Sequence, residues 1–163
     1  MKTKVLILLT ALFFIQASCK KQRQRPTGNH TLSCYIDGKL FVPRGNPNIT
    51  TSPSDDGYTF YKWDSNTTVI AKDYRKYTVF FNTTNRNIGI VNLSKSSGSF
   101  LDYNRNHAII RKNGVLYLSK ENSGTITFIE SSADNVKGTF EFTLYNENDD
   151  NDIIHVTDGM FDN

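Results

Sequence analysis

Apolar and polar residues alternate along most of this chain, and the alternation breaks roughly every 8 to 12 residues at clusters of Gly, Asn, Asp or Ser. Leu32, Cys34 and Ile36 alternate with Ser33 and Tyr35, the period of a strand. Asp37-Gly38 follows, and then the apolar run Leu40-Phe41-Val42. Asp-Gly between apolar runs predicts a two-residue hairpin, because both residues tolerate the positive φ of a type I′ turn. That turn sets Cys34 opposite Phe41 and Tyr35 opposite Leu40. Residues 44–57 (RGNPNITTSPSDDG) read as the longest loop.

The same reading gives strands at Tyr58–Trp63, at Thr67–Lys72, through Tyr77, Val79 and Phe81, and at Ile88–Leu93. Residues 94–106 are polar around a lone Phe100-Leu101 and read as loop. Ala108-Ile109-Ile110 and Val115–Leu118 flank Asn113-Gly114, a second hairpin signature. Gly124–Ile129 is a further strand, and Ser131–Asn135 its turn. Phe140, Phe142 and Leu144 alternate with Thr139, Glu141 and Thr143, giving one apolar and one wet face. Residues 146–152 (NENDDND) read as a polar loop before Ile153–Thr157. No helical period persists. The expectation is an all-β domain: an antiparallel sandwich or flattened barrel of about ten to eleven short strands built from sequential hairpins.

The first thirty residues follow another pattern. Lys2 and Lys4 precede the eleven-residue run Val5–Ile15, broken only by Thr10. A spanning helix needs about 20 apolar residues. A run of this size with basic flanks fits a secretory signal. Gln16-Ala17-Ser18-Cys19 comes next, and small residues followed by cysteine resemble the lipobox of bacterial lipoproteins. The resemblance implies that Cys19 carries acyl chains, and that residues 1–18 are removed. Two or more chains hold a membrane firmly where one does not. Residues 19–30 then form a linker bearing Lys20, Lys21, Arg23 and Arg25. Basic residues beside a lipid favour anionic headgroups by about 1 kcal/mol each. Fully extended, residues 20–30 reach roughly 35 Å.

Charge supports this division. Residues 19–163 hold 17 basic and 16 acidic side chains, a net +1, and residues 31–163 hold 13 and 16, a net −3. The basic balance of the chain therefore belongs to signal and linker, and the 31–163 domain has no electrostatic footprint for nucleic acid. With Cys19 acylated, Cys34 is left alone, and a lone thiol in an oxidising compartment is expected in the core.

A second resemblance rests on Leu32-Ser-Cys34-Tyr-Ile-Asp37-Gly38-Lys39, on Ser123-Gly124-Thr-Ile-Thr, on Gly138-Thr-Phe140-Glu-Phe142 and on Thr157-Asp158-Gly159-Met-Phe161. Together they are similar to a family of uncharacterised Bacteroidetes lipoproteins. The likeness covers the first and last thirds of the domain. It implies an all-β domain outside the inner membrane and brings no catalytic residues. Gly138 and Gly159 read as turn or bulge positions, and the phenylalanines as core. Lys20 stands where many bacteria use Asp to retain lipoproteins in the inner membrane, so the outer membrane is the expected location.

Candidate chemistry is sparse. His30, His107 and His155 are far apart in sequence, and His155 alternates with Ile154 and Val156 and so is expected to face outward. No serine sits in a G-x-S-x-G elbow. No Cys/His spacing suits zinc, and residues 146–152 lack the Gly and Glu of an EF-hand loop. No catalytic residue, metal site or cofactor is assigned. Tyr58, Tyr61, Trp63, Tyr74 and Tyr77 cluster within twenty residues, and aromatic faces on a β-scaffold stack on sugar rings or apolar ligands; Tyr61 and Trp63 are the candidate ligand contacts. The expected function is a non-catalytic, lipid-anchored envelope domain that binds a glycan or an envelope protein. The alternatives are a glycan hydrolase, which needs two carboxylates roughly 5 to 10 Å apart, and a calcium-stabilised adhesion module.

Overall fold

The computed structural model describes residues 31–44, 57–63, 65–73 and 76–163. The signal at 1–18, Cys19, the linker, Tyr74 and most of the 44–57 loop lie outside the described residues.

The described chain is all-β. Ten strands form one antiparallel sheet: β1 Thr31–Ile36, β2 Lys39–Phe41, β3 Tyr58–Trp63, β4 Asn66–Asp73, β5 Tyr77–Thr83, β6 Gly89–Asn92, β7 His107–Lys112, β8 Val115–Ser131, β9 Val136–Asn146 and β10 Asp149–Asp162. Their spatial order is β2-β1-β10-β9-β8-β7-β5-β4-β3, with β6 on the far half of β8. Among the described residues no helix is long and apolar enough to cross a membrane.

Local turn chemistry sets the hairpins. Asp37 and Gly38 take φ +50° and +73°, and pair Cys34 with Phe41 and Tyr35 with Leu40, as the dipeptide predicts. Asn113 and Gly114 repeat this between β7 and β8, with Lys112 opposite Val115.

Two expectations are corrected. The runs at 115–118 and 124–129 are not separate strands but the two halves of β8, a strand of 17 residues. A register shift between Ser119 and Gly124 takes up the polar residues between them, with Asn122 at φ +55°. One strand thus serves two neighbours, β7 along its first half and β6 along its second. The polar run 146–152 is not a loop but a turn at Glu147-Asn148, and Asp149 already begins β10.

The sheet rolls on itself into a half-barrel. At one end the Arg44 amide donates to the Lys72 carbonyl at 2.9 Å, joining the segment after β2 to β4. Elsewhere Lys62 Nζ reaches the Ala133 carbonyl at 3.0 Å, and the Phe60 ring meets Phe161 at 6.2 Å. The concave face holds one cluster running from Leu32 and Cys34 through Phe81, Phe128, Phe140 and Phe142 to Phe161. Cys34 is fully buried there, as the sequence leads one to expect.

Gly138 and Gly159 lie within strands rather than turns, each beside a register shift. Gly138 pairs with Phe161 and Gly159 with Phe140, and each partner ring lies over the glycine where a Cβ would stand. Glycine in a strand interior commonly marks such close approach.

Phe161 touches Phe60, Phe81, Phe128 and Phe140. Phe161→Ala is therefore expected to cost about 3–5 kcal/mol in urea denaturation. Gly138→Ala, whose Cβ meets the Thr127 carbonyl oxygen as well as that ring, costs at least about 1–3 kcal/mol, whereas Ile90→Ala, at a side chain 70% exposed, stays within about 0.5 kcal/mol.

Candidate functional site

The period of β3 divides the aromatic cluster. Tyr58 and Phe60 face inward and pack against the core. Tyr61 and Trp63, two residues apart, share the convex face and are 39% and 44% exposed. Their rings stack with centroids 5.4 Å apart and planes 9° from parallel. Tyr77 instead sets its ring edgewise against Phe41 at 6.1 Å. Tyr58 loses its hydroxyl to the interior, where burial and then the Asp162 carboxylate raise its pKa.

A third ring joins from a segment read in the sequence as plain loop. Tyr103 sets its ring at 73° to Trp63, with centroids 5.0 Å apart. It belongs to residues 94–106, between β6 and β7, which lie as a strap over the convex face. Phe100 of the strap sits edge-on upon Phe80 at 5.3 Å, and the Arg111 guanidinium lies 4.9 Å from Phe100 on the same face. Phe80 and Ile109 are fully buried yet stand apart from the concave cluster. The strap thus makes a second, smaller core.

Buried amides fix the strap to the sheet. Asn82, on β5, is fully buried. Its Nδ2 donates to the Tyr103 carbonyl at 3.3 Å and the Arg105 carbonyl at 2.9 Å, and its Oδ1 accepts from Thr68 Oγ1 at 2.7 Å. Asn66 Nδ2 also donates to the Tyr103 carbonyl, at 3.1 Å. A fully satisfied polar node of this kind specifies one arrangement. The node places Tyr103 beside Trp63, so three rings form a platform at the edge of the sheet.

A second concavity, about 470 Å³, lies on the other flank of the strap, lined by Lys95, Ser96, Lys120, Glu121, Tyr145 and Asp150 among others. Lys120 Nζ sits 4.2 Å over the Tyr145 ring and 2.7 Å from Asp150 Oδ2, so the ring face is covered. Glu121, Glu147 and Asp150 are exposed. A carboxyl that serves as a glycosidase acid needs apolar enclosure to hold its proton, and this cleft does not supply it.

The polar run 146–152 turns its oxygens on itself. Tyr117 Oη and Asn146 Nδ2 each donate to Asp152 Oδ2 at 2.8 Å, and the Asn151 amide donates to Asp149 Oδ1 at 3.0 Å. Those two donors hold the Asp152 carboxyl below the usual carboxylate range, Asn146 first. Among the described residues, no three His, Cys, Asp or Glu side chains converge to hold a metal ion. His155 is exposed, as its alternation predicts, and its Nδ1 lies 3.1 Å from Thr143 Oγ1.

No protein-family model, curated protein or solved structure matches the chain.

Burial, and then the bond to Asp152, push the Tyr117 phenol up to about 12 from 10.0. A raised pKa means that the stabilisation is complete below pH 10 and is lost as pH climbs toward 12. The stability difference between wild type and Tyr117→Phe is accordingly expected to shrink over that interval in denaturant titrations, and to be constant between pH 6 and 9.

Proposed function

We propose that the chain is a non-catalytic envelope protein, anchored by acyl chains on Cys19, whose β-domain binds glycans of the envelope on the convex platform of Tyr61, Trp63 and Tyr103. The observation that carries this reading is the exposed Tyr61–Trp63 stack beside Tyr103. Tyrosine and tryptophan supply large amphipathic area at low entropic cost, and pair an apolar ring with a polar tip. The underside of the platform is held by buried amides rather than left to fluctuate, which reduces the ordering cost of binding. The rings also stand clear of the concave cluster, so nothing in the core requires their exposure.

The anchor reading draws on the lipobox-like 16–19 segment and the basic residues after it. The described chain begins at Thr31, paired with Asp162 at one end of the sheet. Thr31 therefore lies at the end of the sheet that carries the β8–β9 turn.

Binding is tested by titrating the soluble domain with a panel of envelope polysaccharides and following the emission of Trp63, the single tryptophan of the chain. At least one polysaccharide is expected to shift the emission. Tyr61→Ala is expected to weaken binding about tenfold, or about 1.4 kcal/mol, with the fold intact by circular dichroism. Silence across the panel from folded protein would overturn the glycan reading. For the anchor, mass spectrometry of the mature amino terminus is expected to find an acylated cysteine, and Cys19→Ser is expected to move the protein from the membrane to the soluble fraction. An unmodified terminus refutes it.

A further inference from the structure

The strap that carries Tyr103 also covers a histidine that nothing above has used. His107, the first residue of β7, is fully buried on the convex side. Its ring lies against Phe80, with centroids 5.3 Å apart and planes 33° from parallel. Nδ1 lies 3.3 Å from the Arg105 carbonyl, so Nδ1 carries the proton of the neutral ring. Nε2 is buried and has no hydrogen-bond partner. A second proton on this ring would sit at Nε2, out of water and with only the Ser99 carbonyl of the strap near it, which is costly in an apolar setting.

We propose that His107 is a proton-operated latch: when it takes a proton from solvent, the 94–106 strap releases from the convex face and the aromatic platform comes apart. The functional meaning of this latch rests on the platform reading above; the release itself does not.

Every segment packed around the ring bears on the argument. The strap contributes Asp102 and Arg105, which are bound to one another at 2.7 Å between Asp102 Oδ2 and Arg105 Nε. Ser97 also donates to Asp102, at 2.8 Å. Neighbouring β5 offers Phe80 and Asn82, neither of which titrates. On β8, Ser119 Oγ is taken up by the Ala108 amide and the Ser94 carbonyl. Lys120, further along that strand, is engaged with Asp150 and Tyr145. No carboxylate is therefore placed to receive a proton on Nε2. Burial holds His107 below its ordinary 6.5, with the Arg105 charge acting the same way, and is only partly offset by the Arg105 carbonyl, the Asp102 charge and the Ser99 carbonyl. Asp102 is itself held below 3.8, first by the Ser97 hydroxyl, so its charge persists while His107 titrates.

The strap, rather than the sheet, is the element that yields. The rest of β7 is locked into ladders with β5 and β8, from Ala108 to Lys112. The strap is held by Phe100, by Asn82 and Asn66, by Thr84 donating to the Asn106 side chain, and by Ser119 bonded to the Ser94 carbonyl and the Ser96 amide, with the Ser94 amide closing the strap on the Asn106 carbonyl at 2.7 Å. Segments with few buried apolar contacts open first. In the released state the ring regains its ordinary pKa, so docking is unaffected above pH 6.5 and is lost as pH falls below it. The ratio of docked to released strap drops by about tenfold per pH unit, down to the docked-state pKa.

Trp63 reads the transition directly, because Tyr103 leaves its ring when the strap lifts. The soluble domain is titrated from about pH 7.5 to about pH 4.5, with circular dichroism following the sheet. The expected result is a change in Trp63 emission below pH 6.5 with the sheet retained. His107→Phe, which cannot take a proton and keeps a ring against Phe80, is expected to abolish the change. Phe100→Ala, which weakens docking without touching the titrating group, is expected to move the midpoint upward toward 6.5, and His155→Gln to leave it in place. Amide exchange in the wild type gives a readout that needs no variant: protection of residues 94–106 is expected to fall with pH while that of β7 to β9 holds. An emission that is flat with pH, or a change that survives in His107→Phe, overturns the latch. A platform that binds no glycan at neutral pH fails the binding reading and leaves this transition standing. A glycan-binding protein without the transition fails the latch alone.

Discussion

A phenylalanine ring lying on a glycine is the contact from which the curvature of this sheet follows. Phe161 covers Gly138, and Phe140 covers Gly159, across the same pair of strands. With no Cβ in the way, the two rings press onto the backbone and draw β9 and β10 inward. Register shifts beside both glycines add local twist, as bulges do. The rings then meet Phe128 from neighbouring β8, and Phe60 and Phe81 from strands that lie far off in the sheet order. A flat ten-stranded sheet would leave this face wet. Rolled up, it buries one contiguous cluster, from Leu32 to Phe161.

Rolling solves the problem for one face only. The convex side still carries Phe80 and Ile109 in adjacent strands, and a sheet alone leaves them in water. The chain covers them with its own residues, using the long connection between β6 and β7. Because β8 serves both of those strands, the connection has to leave the sheet near Ser119 and return at His107. That detour passes over Phe80, where Phe100 lands. Tyr103 and the buried imidazole are consequences of the same detour.

How much of this was legible in the sequence depends on how local the deciding physics is. The hairpins at Asp37-Gly38 and Asn113-Gly114 follow from the φ preferences of two residues, and their registers came out as the dipeptides predict. The division of Phe140, Phe142 and Leu144 from Thr139, Glu141 and Thr143 follows from a period of two. The unity of β8 was not legible, because Lys120–Ser123 has the composition of a turn. Only a neighbour on the other side makes it a bulge, with the Leu93 amide bonded to the Gly124 carbonyl and the Asn122 amide to the Leu93 carbonyl. Alternation alone places Tyr61 and Trp63 on one face and Tyr58 and Phe60 on the other. Tyr103 carries no such signal, since a residue in an aperiodic segment has no face until the segment docks.

The two faces of one sheet are therefore built on different terms. The concave side holds nearly all of the large buried side chains, and its phenylalanines tolerate little change in volume. The convex edge holds Tyr61 and Trp63, whose exposure asks nothing of that core. The strap is the one element that belongs to both sides. It buries Phe80 and Ile109, which adds to stability, and it sets Tyr103 against Trp63, which shapes the exposed surface. Asn82 is the joint between these two duties: fully buried in the sheet, it has both of its amide hydrogens committed to strap carbonyls. An unmade bond at a buried amide is expensive, so the strap cannot slide along the face while remaining docked. Seated there, it keeps the platform assembled.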